Sequence, residues 1–444
     1  MTQRTPAQTG LAVLDLAQAA RFAEIAELFA PPLRAVVPPE ALQAAWTAEI
    51  SQRGPVQQVG TPDSQPVPGG AVVTIPVTFA NGETTVVVTV TDDGWLGGIQ
   101  LVPADQQQEA PAAWQPPPYA DPASFSEQEV TVGTGPLALP GMLSLPRQGG
   151  PLPGVVLLGG SGPVDRDETI GRNKPFKDLA WGLASRGVAV LRFDKVTHAH
   201  GGEVSKNPGF TLTDEYVPAA VAALHLLRQQ PAVATDRIFL AGHSLGGTAA
   251  PRVAAAEPSV AGLIILAGGA EPLHWSIVRQ FRYLAALDPS PVAAPEQVLA
   301  AVIRQAELVD SPDLSPATPA ADLPFAVPAA YWLDLRGYDP PAAAAALGKP
   351  VLVLQGGRDY QATVADDLAR WRAGLAGRPD VTIRVYEADN HLFFPGSGPS
   401  APAEYEPPQH LDPAVVGDIA GWLAAAAPDG RAGSADPGGS LPVG

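Results

Sequence analysis

The stretch Ile238-Phe-Leu-Ala-Gly-His-Ser-Leu-Gly-Gly247 constrains what this chain can fold into more than any other. A short apolar run, Ile238 to Leu240, is followed at once by Gly242-His243-Ser244-Leu245-Gly246 and then by a helix-forming segment through Ala255. A serine at the apex of a strand-to-helix turn must take strained backbone angles, and glycines beside it let the chain pass close by. The turn lifts the hydroxyl clear of a sheet, with the positive end of the following helix directed toward it. A chance pentapeptide in a Gly/Ala-rich chain is the bland alternative; the strand and helix on either side argue against it.

The rest of the chain beyond Gly150 supplies the sheet such a turn requires. Strand and helix patterns alternate there, which calls for a mainly parallel sheet with helices on both faces, an α/β architecture. Expected strands are Val155–Leu158, Val188–Phe193, Val260–Leu266, Pro350–Gln355 and Val381–Tyr386. Helices are expected near Lys174–Arg186, after Thr211-x-x-Asp214, and at Pro413–Ala426; Pro218 fits the second only within its first turn. The interval from 271 to 347 is too long for a connection and too Ala/Leu-rich for a loop. It is read as a helical cap inserted over the strand C-terminal ends, where open α/β sheets bind ligands.

Residues 1–103 have a different texture. An amphipathic helix pattern over 11–30 ends at Pro31-Pro32, and a second helix is expected from Pro39 to Ile50. Two β-rich runs, Ala71–Phe79 and Glu83–Val90, are joined by the hairpin signal Asn81-Gly82, and Gly94–Leu101 reads as a further strand. These make a small α+β unit in which Trp46 and Trp95 are expected in the core. Residues 104–122 read as a Pro/Gln-rich linker, 123–427 as the second domain opening with a hairpin (Glu127–Val132, Ala138–Leu145), and 428–444 as a disordered tail.

Composition narrows the function classes. Across 444 residues the formal net charge is −18, so no basic stripe is available for nucleic acid or for an anionic membrane surface. No cysteine is present, which excludes disulfides, thiolate metal sites and a cysteine nucleophile. With neither a signal core nor a spanning apolar run, a cytoplasmic location is the expectation.

A serine hydroxyl becomes a useful nucleophile only when a base takes its proton and a carboxylate orients that base. His391, in Glu387-Ala-Asp-Asn-His-Leu-Phe-Phe394, follows the last strand directly and is the expected base, with His410 second. His198, His200, His225, His243 and His274 occupy less suitable positions. Asp359, in Gln355-Gly-Gly-Arg-Asp-Tyr360, stands just after the preceding strand and is preferred over Asp389, Asp366 and Asp367. The His198 and His200 spacing with Asp194 and Glu203 would suit a metal on a strand, but this segment reads as a Gly-flanked loop, so no metal is expected.

The order Ser244, Asp359, His391 resembles that of the α/β-hydrolases. Over residues 125–426 the chain resembles bacterial carboxylesterases near dienelactone hydrolases and acyl-peptide hydrolases. The likeness rests on Gly-His-Ser-Leu-Gly, Gly-Arg-Asp-Tyr, Asp-Asn-His and the loop Gly159–Asp167. Dienelactone hydrolases use a cysteine where this chain has Ser244. The N-terminal unit resembles, in pattern and order, the NTF2-like domain ahead of some bacterial serine hydrolases. The resemblance implies an α/β-hydrolase fold with a cap, an oxyanion hole from the amides of Leu245 and Ser161 with Gly160 next, and no cofactor.

Trp275, Phe281, Tyr283, Tyr331, Trp332, Tyr360 and Phe393 are candidates for an apolar substrate pocket. The expected activity is cofactor-free cleavage of a small carboxylic ester through an acyl-enzyme. Alternatives are a peptidase or thioesterase on the same residues, or a ligand-binding protein on a hydrolase scaffold.

Overall fold

The computed structural model describes residues 4–30, 34, 39–67, 70–103, 114–287 and 294–426. Most of the expected linker (104–113) and the expected tail (428–444) lie outside the described residues. The chain divides into two compact units, one of residues 1–114, 202–214 and 271–338, the other of 115–201, 215–270 and 339–444.

In the first unit, α1 (Pro6–Gln18) starts at a capping box in which Thr5 and Gln8 satisfy each other's backbone amides. The pattern over 11–30 predicts one helix; instead Ala20, at φ 55, breaks it and α2 (Phe22–Leu28) begins anew. The next helix, α3, spans Pro39–Arg53. Five antiparallel strands follow: β1 (Val56–Val59), β2 (Asp63–Val67), β3 (Gly70–Phe79), β4 (Gly82–Thr91) and β5 (Leu96–Pro103), in the order β1-β3-β4-β5 with β2 also on β3. Gly82 already pairs with Phe79, so the hairpin turn is Ala80-Asn81, one residue earlier than the sequence suggests.

Alternation along β3 turns Ala71, Val73, Ile75, Val77 and Phe79 inward, and α1 and α2 bury Val13, Leu14, Phe22 and Ile25 against that face. Trp46 joins this core, whereas Trp95 is exposed with the Arg34 guanidinium 5.5 Å from its ring centre. Within the same unit, helices Leu273–Leu287, Ala294–Asp310 and Ala329–Leu335 pack around Val278, Val302, Ala306, Val309 and Trp332.

The second unit is built on an eight-stranded sheet. Its strands are β6 (Phe125–Val132), β7 (Leu139–Pro146), β8 (Leu152–Leu158), β9 (Ala189–Phe193), β10 (Val233–His243), β11 (Leu263–Leu266), β12 (Val351–Gly356) and β13 (Val381–Tyr386), in the order β13-β12-β11-β10-β8-β9-β7-β6. All neighbours from β13 to β9 are parallel; β7 alone is reversed, pairing antiparallel with β9 on one side and β6 on the other. The unit's helices of six or more residues are α4 (Pro175–Ala184), α5 (Leu212–Arg228, from residue 215 on), α6 (Leu245–Ala256), α7 (Pro340–Leu347), α8 (Ala369–Gly374) and α9 (Pro413–Ala425).

The parallel strands read as continuous apolar runs because both faces are covered; all six residues of β12 are buried. Pro218 lies beyond the first turn of α5, so the helix tolerates one missing amide that the sequence reading confined to its start. The helical insertion in the first unit ends at 338, because α7, capped by Asp339 on the amide of Ala342, belongs with the sheet unit. Parallel strands have a further consequence: the residues just after β8, β10, β12 and β13 all emerge at one edge.

Candidate active site

Ser244 stands between β10 and α6 with φ 52 and ψ −120, angles that a non-glycine residue holds only when its surroundings impose them. Its amide donates to the Leu266 carbonyl at 2.9 Å, and its carbonyl accepts from the Thr248 amide at 3.0 Å. A Cβ on Gly242 would lie 2.2 Å from the Gly246 carbonyl oxygen, and one on Gly246 would lie 2.3 Å from that of Leu158. The flanking glycines are thus required by close backbone approach. As the first residue of α6, Leu245 has an amide with no intrahelical acceptor.

Five histidines contact a carboxylate: His225 with Glu257, His243 with Glu168, His274 with Asp310, His391 with Asp359 and His410 with Asp178. Pairing alone therefore does not single one out; position does. The His391 Nδ1 lies 2.7 Å from Asp359 Oδ2, both buried, and its ring centre is 4.7 Å from that of His243, the neighbour of Ser244. The other Asp359 oxygen accepts the amides of Gln361 and Ala362 at 2.7 and 3.0 Å, and Gln355 Nε2 donates to Oδ2 at 3.0 Å. These bonds fix the carboxylate opposite Nδ1 of His391, an arrangement that suits the tautomer with its proton on Nδ1 and a free Nε2.

The remaining carboxylates and histidines have other duties. Asp367 accepts the amides of Ala270 and Thr363, Asp366 accepts from Thr363 Oγ1, and His410 packs beside the start of α4. Asp194 accepts three hydrogen bonds from Arg166, one from its amide and two from its guanidinium, His198 contacts the Pro163 carbonyl, and His200 contacts that of Ala138. Asp389 is buried, and both its carboxyl oxygens lie without a hydrogen-bond partner among the described residues. Burial, aided by the Asp412 carboxylate, pushes its pKa up to about 7 against the pull of Arg358.

The loop after β8 comes close to Ser244. A Cβ on Gly160 would lie 3.3 Å from that of Ser244. The Gly160 amide, expected as the next oxyanion donor, donates instead to Glu168 Oε1 at 2.6 Å. A carboxylate eight residues along the chain takes that donor away. No hydrogen bond to the Ser161 amide occurs among the described residues, and Ser161 is exposed. Glu168 Oε1 also meets His243 Nδ1 at 2.9 Å, while His243 Nε2 meets the His391 carbonyl at 2.9 Å. Burial disfavours a charged imidazole at His243, but the Glu168 carboxylate outweighs it and the pKa is raised. An imidazolium donating from both nitrogens satisfies both contacts.

Sequence reasoning missed this network, and also Arg358, whose guanidinium donates to the carbonyls of Ala388, Ser397 and Gly398 and pairs with Glu404. Of the proposed pocket aromatics, Phe393 and Trp332 are core residues, 1% and 2% exposed, in separate clusters. Trp275 donates its indole N–H to Asp310 at 2.7 Å; Tyr331 and Tyr360 are buried. A long apolar side chain fits a core as well as a pocket, and the sequence holds no signal that separates the two.

Residues 155–407 match the model of the Alpha/beta hydrolase family. Esterase EstD of Thermotoga maritima is 36% identical over 348 residues, covering 78% of this chain and 77% of its own length. Among solved structures, an esterase of Pyrococcus furiosus is 17% identical with a TM-score of 0.43, covering 68% of this chain and 92% of its own. Est1E from Butyrivibrio proteoclasticus is 18% identical with a TM-score of 0.42, covering 67% and 98%. Dienelactone hydrolase from Anabaena variabilis is 17% identical with a TM-score of 0.39, covering 68% and 98%.

Proposed function

The chain belongs to the alpha/beta hydrolase family, and from that premise we propose that it is a serine hydrolase of small carboxylic esters. The observation that carries this reading is the strained Ser244 after β10, with a buried His391–Asp359 pair whose imidazole centre lies 4.7 Å from that of the adjoining His243. The 36% identity to an esterase over most of both chains supports esters as the substrate class.

In this reading Ser244 Oγ attacks the ester carbonyl carbon while His391 Nε2 takes its proton. The carbonyl π pair moves onto oxygen, and the amides of Leu245 and Ser161 bind that oxyanion. Collapse expels the alcohol, which receives the proton from His391. Water, deprotonated by the same nitrogen, then releases the acid and restores Ser244. Asp359 holds the ring and stabilises the imidazolium without itself being protonated. The α+β layout of the described residues among 1–103 supports a small NTF2-like domain that precedes the hydrolase domain in sequence.

A panel of p-nitrophenyl esters of increasing chain length tests the proposal. Wild type should release p-nitrophenol with saturation, and Ser244→Ala should lose about 10⁴-fold or more in kcat with its fold intact. Wild-type turnover matched by Ser244→Ala would overturn it.

A further inference from the structure

The loop after β8 is fastened from behind by two buried side chains that the reaction scheme does not use. Lys195, 4% exposed, follows β9 by two residues and donates from Nζ to the Gly160 carbonyl at 2.7 Å. Tyr216, 3% exposed and on α5, directs its hydroxyl between the carbonyls of Gly159 and Gly160, at 2.9 and 3.0 Å. Glu215 Oε1 holds the ammonium at 3.0 Å, Thr197 Oγ1 supports that carboxylate at 3.0 Å, and Nζ sits 4.8 Å from the centre of the Tyr216 ring.

The Gly160–Ser161 peptide is trans, so its C=O and N–H point in opposite directions. Anchoring the Gly160 carbonyl toward the interior therefore turns the Ser161 N–H outward, on the loop whose Gly160 abuts Ser244. The two donors also draw electron density toward the Gly160 oxygen, which makes the N–H of the same peptide a stronger donor. The preceding peptide is locked in the same sense, its carbonyl on Tyr216 and its N–H on Glu168.

We propose that Lys195 and Tyr216 are positioning residues for ester hydrolysis: they orient and polarise the Gly160–Ser161 peptide so that its N–H serves as the second oxyanion donor. The inference rests on the acyl-transfer reading above and adds to it a structural origin for half of the oxyanion hole. A purely structural role would equally satisfy two buried carbonyls, so the test must report on the oxyanion itself.

Tyr216→Phe removes one hydroxyl and keeps the ring beneath Lys195. With p-nitrophenyl butyrate its kcat should fall about tenfold with KM held within roughly twofold, as expected when a transition-state contact is weakened. Affinity for an alkyl trifluoromethyl ketone, whose carbonyl adds a serine oxygen to give a hemiketal oxyanion, should fall by the same factor. Lys195→Met should show the same split more strongly, and Lys195→Arg should recover part of it. If Lys195→Met does not fold, Tyr216→Phe carries the test alone. Unchanged kcat and ketone affinity in Tyr216→Phe, or a rise in KM alone, would overturn the inference while leaving the esterase reading standing. A wild type that hydrolyses no ester and leaves the ketone unbound would overturn both.

Discussion

On one side of Ser244, the loop after β8 is fastened by several fully buried charges; on the other, the loop after β13 is held by one guanidinium, that of Arg358, paired with the part-exposed Glu404, and by the Asn390 amide. Glu168, His243, Lys195 and Glu215 are each buried and each bonded to a partner of opposite sign or to a loop amide or carbonyl. Across Ser244, Asn390 Oδ1 accepts the amides of Leu392 and Phe394 at 3.0 and 3.1 Å, and Arg358 reaches three carbonyls. The buried acid of that second loop, Asp389, has no counter-charge at hydrogen-bond distance among the described residues. A buried charge pair holds geometry tightly and fails abruptly when one partner is removed. A loop with an uncompensated acid that titrates near neutrality responds instead to pH.

The largest effect that would sharpen this contrast is at the base. Asp359→Asn should leave the fold intact but favour the wrong imidazole tautomer, lowering kcat about 10⁴-fold. Steady-state kinetics beside a thermal melt checks it, and a loss of activity tracking a loss of folded protein would contradict it.

Glu168→Gln addresses the charged side. It leaves His243 buried without its counter-charge, so stability should fall by about 3–5 kcal/mol, read by urea unfolding at pH 6. The pH dependence follows from the raised pKa of His243. Its contribution is fully present below the ordinary histidine value and is lost as pH rises through the folded-state pKa. Glu168→Gln should abolish that part of the profile, and a variant as stable as wild type would break the contrast.

The smallest effect concerns Asp389. Its folded pKa is about 7 against an ordinary 3.8, so between those values the folded state holds a proton that the unfolded chain has released. Stability therefore declines as pH rises from 4 to 7 and levels off above. Asp389→Asn, which does not titrate, should match wild type near pH 4 and exceed it at pH 8. A gain of about 2 kcal/mol is expected, roughly half of what the full shift would give, after discounting for solvent screening. Parallel stability profiles for the two proteins would contradict this.

How much of this was legible in the sequence depended on whether the signal was local. The turn at Ser244 was legible because the glycines that permit its close approaches sit within three residues of it. The strand ends bearing Asp359 and His391 were legible because parallel apolar runs must finish at one edge. The use of the Gly160 amide by Glu168 was not, since it depends on how a loop closes over eight residues. Lys195 and Tyr216 lie 35 and 56 residues from Gly160, beyond any spacing rule. Strands β1 and β2 escaped notice because half-buried VQQV and exposed DSQPV show no alternation. The break at Ala20 had no glycine or proline to announce it.

The central claim is that Ser244 forms a covalent acyl intermediate. Intact-protein and peptide mass spectrometry after treatment with a fluorophosphonate ester tests it directly. A single phosphonyl adduct on the peptide carrying Ser244, absent in Ser244→Ala and slowed in His391→Ala, is the predicted result. An unmodified, folded wild type that still hydrolyses p-nitrophenyl butyrate, or an adduct on another residue, would contradict it.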